Sequence, residues 1–148
     1  MNDKLLTIFN SIYPLSEEET NTLLAILSHK HLEKGSVWMK EGTHNYNIAF
    51  IQDGYLRKYY LKEGNEITDS FYFENEFCAD LPSILSKQSP DSFVVAMKPT
   101  DLTIIPFEKY QNLCYNYYAF EHIYRILLEQ TFLRFYKRTR SFIEQTPE

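Results

Sequence analysis

The chain has 148 residues, with Lys+Arg 15 against Asp+Glu 20 and a formal net charge of −5. It is 44% hydrophobic and 16% aromatic, which excludes a disordered chain and supplies a real core. No run of ~18 apolar residues spans a membrane, no charged-then-apolar start marks a secretory signal, and an acidic chain is ill suited to grip DNA phosphates alone.

Residues 1–30 read as helical. Leu5, Leu6, Ile8, Phe9 and Ile12 recur at helical spacing, and Pro14 then punctuates the chain. Ser16 followed by Glu17, Glu18 and Glu19 is a capping box, and its carboxylates suit the positive end of the helix dipole. Leu23, Leu24, Ile26 and Leu27 supply the buried stripe. His29-Lys30-His31 is placed at the helix C-terminus, where the dipole favours cations.

Residues 31–107 change period. Short runs rich in β-branched and aromatic residues alternate with turn residues: Val37-Trp38-Met39, Ile48 to Ile51, Tyr55 to Leu61, Glu66 to Phe73, Ser92 to Met97 and Leu102 to Pro106. Asp53-Gly54 and Gly64-Asn65 are hairpin signals, and Pro99-Thr100-Asp101 reads as a turn. Many short, closely spaced strands predict an antiparallel roll or barrel. A segment without period-2 alternation, Phe77 to Leu85, interrupts them. Asp80 can cap a short helix near 80–86, whose first turn tolerates Pro82.

Residues 108–143 are helical again. Glu108 to about Tyr115 reads as a short helix, and Tyr118 to Ile143 contains no Gly or Pro. Phe120, Tyr124, Leu128, Phe135 and Phe142 form one apolar line, and Ile123, Leu127 and Phe132 a second. One line suffices to dock on a roll, so the second suggests another copy of the helix. The candidate dimer contacts are Phe120, Tyr124, Leu127, Leu128, Thr131 and Phe135. Arg134, Lys137, Arg138 and Arg140 read as dipole compensation, or as an approach to DNA phosphates. The expected fold is α+β: a single domain over 1–148, an antiparallel β-roll of the jelly-roll (double-stranded β-helix) kind, flanked by N-terminal helices and a long C-terminal dimerisation helix.

This order of elements resembles the cyclic-nucleotide-binding domain of the Crp/Fnr transcription-regulator family. The matching residues are Leu32-Glu33-Lys34-Gly35, Lys40-Glu41-Gly42, Ile51-Gln52-Asp53-Gly54, Glu63-Gly64, Phe77-Cys78-Ala79-Asp80-Leu81 and Val94-Val95-Ala96. The resemblance covers about residues 5–143. It implies a cytoplasmic sensor that dimerises through its long helix and meets DNA through a helix-turn-helix domain absent from this chain, which is then either a piece of a longer regulator or a naturally short form. The family's phosphate-binding cassette runs Phe-x-Gly-Glu-Leu, about eight residues, then Arg-(Ser/Thr)-Ala. Phe77 and Leu81 keep their places. Ala79 stands for Gly, Asp80 for Glu, and Pro90 for the phosphate-binding Arg, with Asp91 and Ser92 following.

A buried cyclic phosphate needs a counter-charge and backbone donors. An Arg clamp is worth ~1.5–3 kcal/mol, and Pro90 replaces it with nothing. The degenerate cassette of Ala79, Asp80, Leu81, Ser89, Pro90, Asp91 and Ser92 is therefore the candidate ligand site, with an unidentified neutral or cationic effector in place of cAMP. A ligand-free dimerisation scaffold is the alternative.

No cofactor is called for. Two cysteines, Cys78 and Cys114, read as free thiols in a reducing compartment and are too few for an iron–sulfur cluster. No His or Cys position argues for haem. A metal-dependent cupin needs an HxH pair with a following glutamate on roll strands, and His29-Lys30-His31 has neither that place nor that partner. No GxSxG, P-loop or HExxH motif is present, so no catalytic and no metal-ligating residue is assigned.

Overall fold

A computed structural model describes residues 2–145, with the side chains of residues 2–141. The chain begins with two helices, α1 (Asp3–Ile12) and α2 (Glu17–Ile26). The capping box at α2 forms as its residue types dictate. Ser16 Oγ accepts from the Glu19 N–H at 3.1 Å, and Glu19 Oε1 accepts from the Ser16 N–H at 2.8 Å.

Eight strands follow: β1 (Ser28–Leu32), β2 (Val37–Met39), β3 (Asn47–Asp53), β4 (Leu56–Lys62), β5 (Asn65–Tyr72), β6 (Phe77–Cys78), β7 (Phe93–Ala96) and β8 (Thr100–Pro106). They form two four-stranded antiparallel sheets, in the orders β1-β8-β3-β6 and β2-β7-β4-β5. The short helix α3 (Leu81–Ser86) interrupts the strands between β6 and β7. Helices α4 (Phe107–Asn116) and α5 (Tyr118–Gln145) end the described chain.

The first sheet is covered on both faces, which is why β3 buries Ala49, Phe50 and Ile51 consecutively. Ala49 and Ile51 point into the roll, where they meet Leu32, Met39, Leu56, Val94 and Leu102. Phe50 and Ile105 point outward and pack with Leu5, Phe9, Leu23, Tyr110, Phe120 and Ile123 of the helices. The molecule thus has two cores on either side of one sheet.

Four local readings of the sequence are corrected. Residues 28–32 are a strand, not a helix end: β1 pairs with β8, and only Leu32 is buried. The polar run His29-Lys30-His31 hides this strand from any periodicity. Asp53-Gly54 makes no hairpin, because β3 and β4 belong to different sheets and Gly54 lies at the corner between them. The hairpin expected at Gly64-Asn65 does form, with Glu63-Gly64 as its turn: Lys62 pairs with Asn65, and both turn residues have positive φ, 53° and 81°. Finally, Thr100 and Asp101 start β8 rather than a turn, and Phe77-Cys78 is a two-residue strand against β3.

Candidate functional site

The cassette segment is built around α3. Asp80 caps the helix, its carboxylate accepting from Ser83 Oγ at 2.7 Å and from the Ser83 N–H at 3.4 Å. Asp80 is buried and its acceptors are committed inside the chain. Ala79 and Leu81, on either side, line a cavity. Pro90 is buried, and its carbonyl accepts from the Gly42 N–H at 3.0 Å. It therefore closes the loop instead of presenting a donor. Ser92 is buried and donates to the exposed Asp91 at 2.9 Å. Ser89 is exposed, and none of Ser89, Pro90, Asp91 and Ser92 lines the cavity.

That cavity, of about 650 Å³, lies between α5, β5, the β5–β6 turn and α1. Its size is within the usual range for small-molecule sites of ~300–1,000 Å³. Phe9, Phe77, Tyr110, Tyr124, Leu127 and Phe135 belong to its apolar wall. The wall is braced by ring contacts: Phe77 lies 5.1 Å from Phe50 and 6.4 Å from Phe9, and Tyr110 lies 6.2 Å from both Phe9 and Tyr124. Burial pushes the phenols of Tyr72, Tyr110 and Tyr124 upward, so these walls stay neutral.

The open side of the cavity is ionic. Arg134 reaches Glu76 Oε2 at 2.9 Å, and Arg138 reaches Asp69 Oδ1 at 2.8 Å and the Asp69 carbonyl. These contacts strap the second half of α5 to the roll. The basic cluster on α5 is thus not only dipole compensation, since two of its members have specific acid partners on β5 and the following turn. Arg134, Arg138, Asp69 and Glu76 are the site residues that sequence reasoning missed. Their one signal was the complementary charge of two segments more than fifty residues apart.

The candidate dimer face divides. Phe120 is fully buried in the chain's own helical core and is corrected: it has no surface left for a second copy. Tyr124 and Leu127 pack against the same core and line the cavity, and Leu128 is half-buried. Thr131 and Phe135 are exposed, as are Phe132, Leu133 and Tyr136. Phe142 and Ile143 lie outside the residues whose side chains are described. Apart from Tyr118, the exposed large apolar residues of α5 therefore begin at Phe132, about three turns after Phe120.

No family model and no curated protein sequence matches this chain. Solved structures do. A cyclic nucleotide-binding domain from Methylobacillus flagellatus KT superposes with a TM-score of 0.81 at 18% identity, covering 99% of this chain and 84% of that one. The chain has the cyclic-nucleotide-binding fold.

The catabolite activator protein of Thermus thermophilus shares the fold with a TM-score of 0.70 and 19% identity. The alignment covers 93% of this chain but 63% of that protein, so the chain spans less than two thirds of its length. The sensor domain of the transcriptional regulator DNR from Pseudomonas aeruginosa gives 0.69 and 17%, covering 85% and 91%. Within this fold, the β-roll and the long helix are the expected ones. Among the described residues no helix is long and apolar enough to cross a membrane, and no group of three or more His, Cys, Asp or Glu is placed to hold a metal ion.

Proposed function

We propose that this chain is the effector-sensing and dimerisation part of a Crp/Fnr-type transcription regulator, one that does not bind cAMP in the manner of its fold. The observation that carries this reading is the cassette. Asp80 is consumed by Ser83, Pro90 is buried without a donor, and the nearest following charge is the acidic Asp91. Ala79 to Leu81 and Ser89 to Ser92 offer a cyclic phosphate no cation of their own. The free thiols of Cys78 and Cys114 support a reducing, cytoplasmic setting.

In this reading the exposed apolar half of α5, around Phe132, Leu133, Phe135 and Tyr136, meets its counterpart in a second copy. An effector changes how α5 packs on the roll, shifting the population between two helix arrangements. DNA contact falls to a domain outside this sequence, which accords with the acidic balance here. No catalytic role is assigned to any residue.

Calorimetric titration with cAMP and cGMP tests the central claim, with no heat expected up to submillimolar nucleotide. A micromolar Kd for either overturns it. Sedimentation velocity tests the dimer, and a strict monomer at high micromolar concentration removes that half of the reading. The missing cassette cation also favours a ligand-free scaffold, but the large apolar cavity beside the cassette favours a sensor.

A further inference from the structure

The cavity beneath α5 has an asymmetry in its ion pairs. Glu76 is held twice: Oε1 accepts from the Phe73 N–H at 2.7 Å while Oε2 takes Arg134. Asp69 is also held twice: Oδ2 faces Lys58 Nζ at 3.7 Å while Oδ1 takes Arg138. The two guanidiniums each have a single acid partner among the described residues. They are also the more exposed members, at 64% and 52% against 26% and 35% for Glu76 and Asp69. An incoming anion can therefore recruit both guanidiniums while each acid keeps its other partner. An incoming cation has to displace a guanidinium from an acid and leave that arginine without one.

Arg134 and Arg138 sit four residues apart, so both line the same side of the cavity. Their planar forks suit a carboxylate. The wall behind them, with Phe9, Phe77, Tyr124, Leu127 and Phe135, suits an apolar body. We propose that this cavity binds an apolar monocarboxylate, aromatic or medium-chain aliphatic, with its carboxylate bridged by Arg134 and Arg138. The proposal rests on the sensor reading and names its effector class. It replaces the neutral or cationic effector expected from Asp91, because Asp91 lies outside the cavity. Capture of the carboxylate exchanges the straps between α5 and the roll for bonds to the ligand, which links occupancy to the helix whose packing is to change.

The test uses the whole chain with 2-naphthylacetate and octanoate as probes, and 2-naphthylacetamide and octanol as uncharged counterparts. Binding is read by calorimetry and by amide chemical shifts. The acids are expected to bind roughly tenfold or more tightly than the uncharged pair, with shifts at residues lining the cavity. Arg134→Gln and Arg138→Gln should each weaken the acids by about tenfold and leave the amide unchanged. Arg125→Gln, on the same helix but paired with Glu129, should change neither. Circular dichroism confirms that these surface variants fold. Equal affinity for acid and amide overturns the carboxylate assignment and leaves the sensor reading standing. No binding of any of the four probes overturns the proposal together with the ligand half of that reading.

Discussion

The hydroxyl of Tyr110 donates to the carbonyl of Phe120 at 2.8 Å inside the helical core. One bond thereby fixes the angle between α4 and the first turn of α5, next to the cavity wall. Phe120 O also lies in the helical ladder, so losing the tyrosine leaves it one partner. Tyr110→Phe should therefore cost only about 1 kcal/mol of stability. Urea unfolding measures it, and an unchanged midpoint with an unchanged m-value would show the bond contributes nothing.

Local chemistry was legible in the sequence where partners are close in the chain. The Ser16–Glu19 box and the Asp80 cap needed only residue type and spacing. The β1 strand was not legible, because its exposed His29-Lys30-His31 carries no pattern and its strand identity comes from pairing with β8. Asp53-Gly54 was misleading for a related reason: a hairpin turn and a corner between two sheets want the same residues. On α5 the period was visible, but which apolar line serves the chain's own core depends on the outer face of the first sheet, around Phe50 and Ile105. The cavity's ionic side was invisible because Arg134 and Arg138 meet acids 58 and 69 residues away.

His31 stands opposite Asp101 in the β1–β8 pairing, its Nδ1 2.7 Å from Oδ1, with Glu33 3.2 Å from Nε2. The hydrogen bond to Asp101 is the main cause that raises its pKa above the ordinary 6.5. The stabilisation is fully present below the unfolded value and is lost as pH rises through the folded one. Proton NMR titration should place the His31 midpoint above that of a free histidine. Asp101→Asn should bring it down, and a midpoint that does not move would assign the shift elsewhere.

Burial pushes the thiol of Cys78 up to about 12 and that of Cys114 up to about 11. Neither supplies much thiolate near pH 8, but Cys78 is wholly buried and Cys114 only partly. Under native conditions a disulfide reagent should modify Cys114 slowly and Cys78 only after unfolding. Mass-mapped labelling distinguishes the two, and rapid native modification of Cys78 would contradict its burial.

The ionic straps should matter more to α5 position than to global stability. Arg134 and Arg138 are both mostly exposed, so solvent screens them, and each pair is worth at most about 1 kcal/mol. The Arg134→Gln, Arg138→Gln double variant should keep its melting temperature within a few degrees, by the usual scaling for a domain of this size. Hydrogen exchange in α5 after Thr131 should nevertheless speed up, and more so at low salt, where the intact pairs are strongest. Unaltered exchange would show that the straps do not hold the helix.

Gly54 has the least tolerance for a side chain in the roll. Its φ is +96°, and an added Cβ would stand 2.8 Å from both the Pro99 carbonyl oxygen and Thr100 Cα, which are backbone atoms unable to rotate away. Gly35 has a similar φ of +88° but open space around it. Left-handed strain of ~1–2 kcal/mol should apply to Ala at either position. The clash applies at Gly54 alone, where β3 passes to the other sheet and touches the start of β8. Gly54→Ala should thus lower the unfolding free energy by about 2–4 kcal/mol and Gly35→Ala by about 1 kcal/mol. Thermal melts of the two variants side by side isolate the corner contact, and equal losses would mean that backbone conformation alone sets the requirement for glycine.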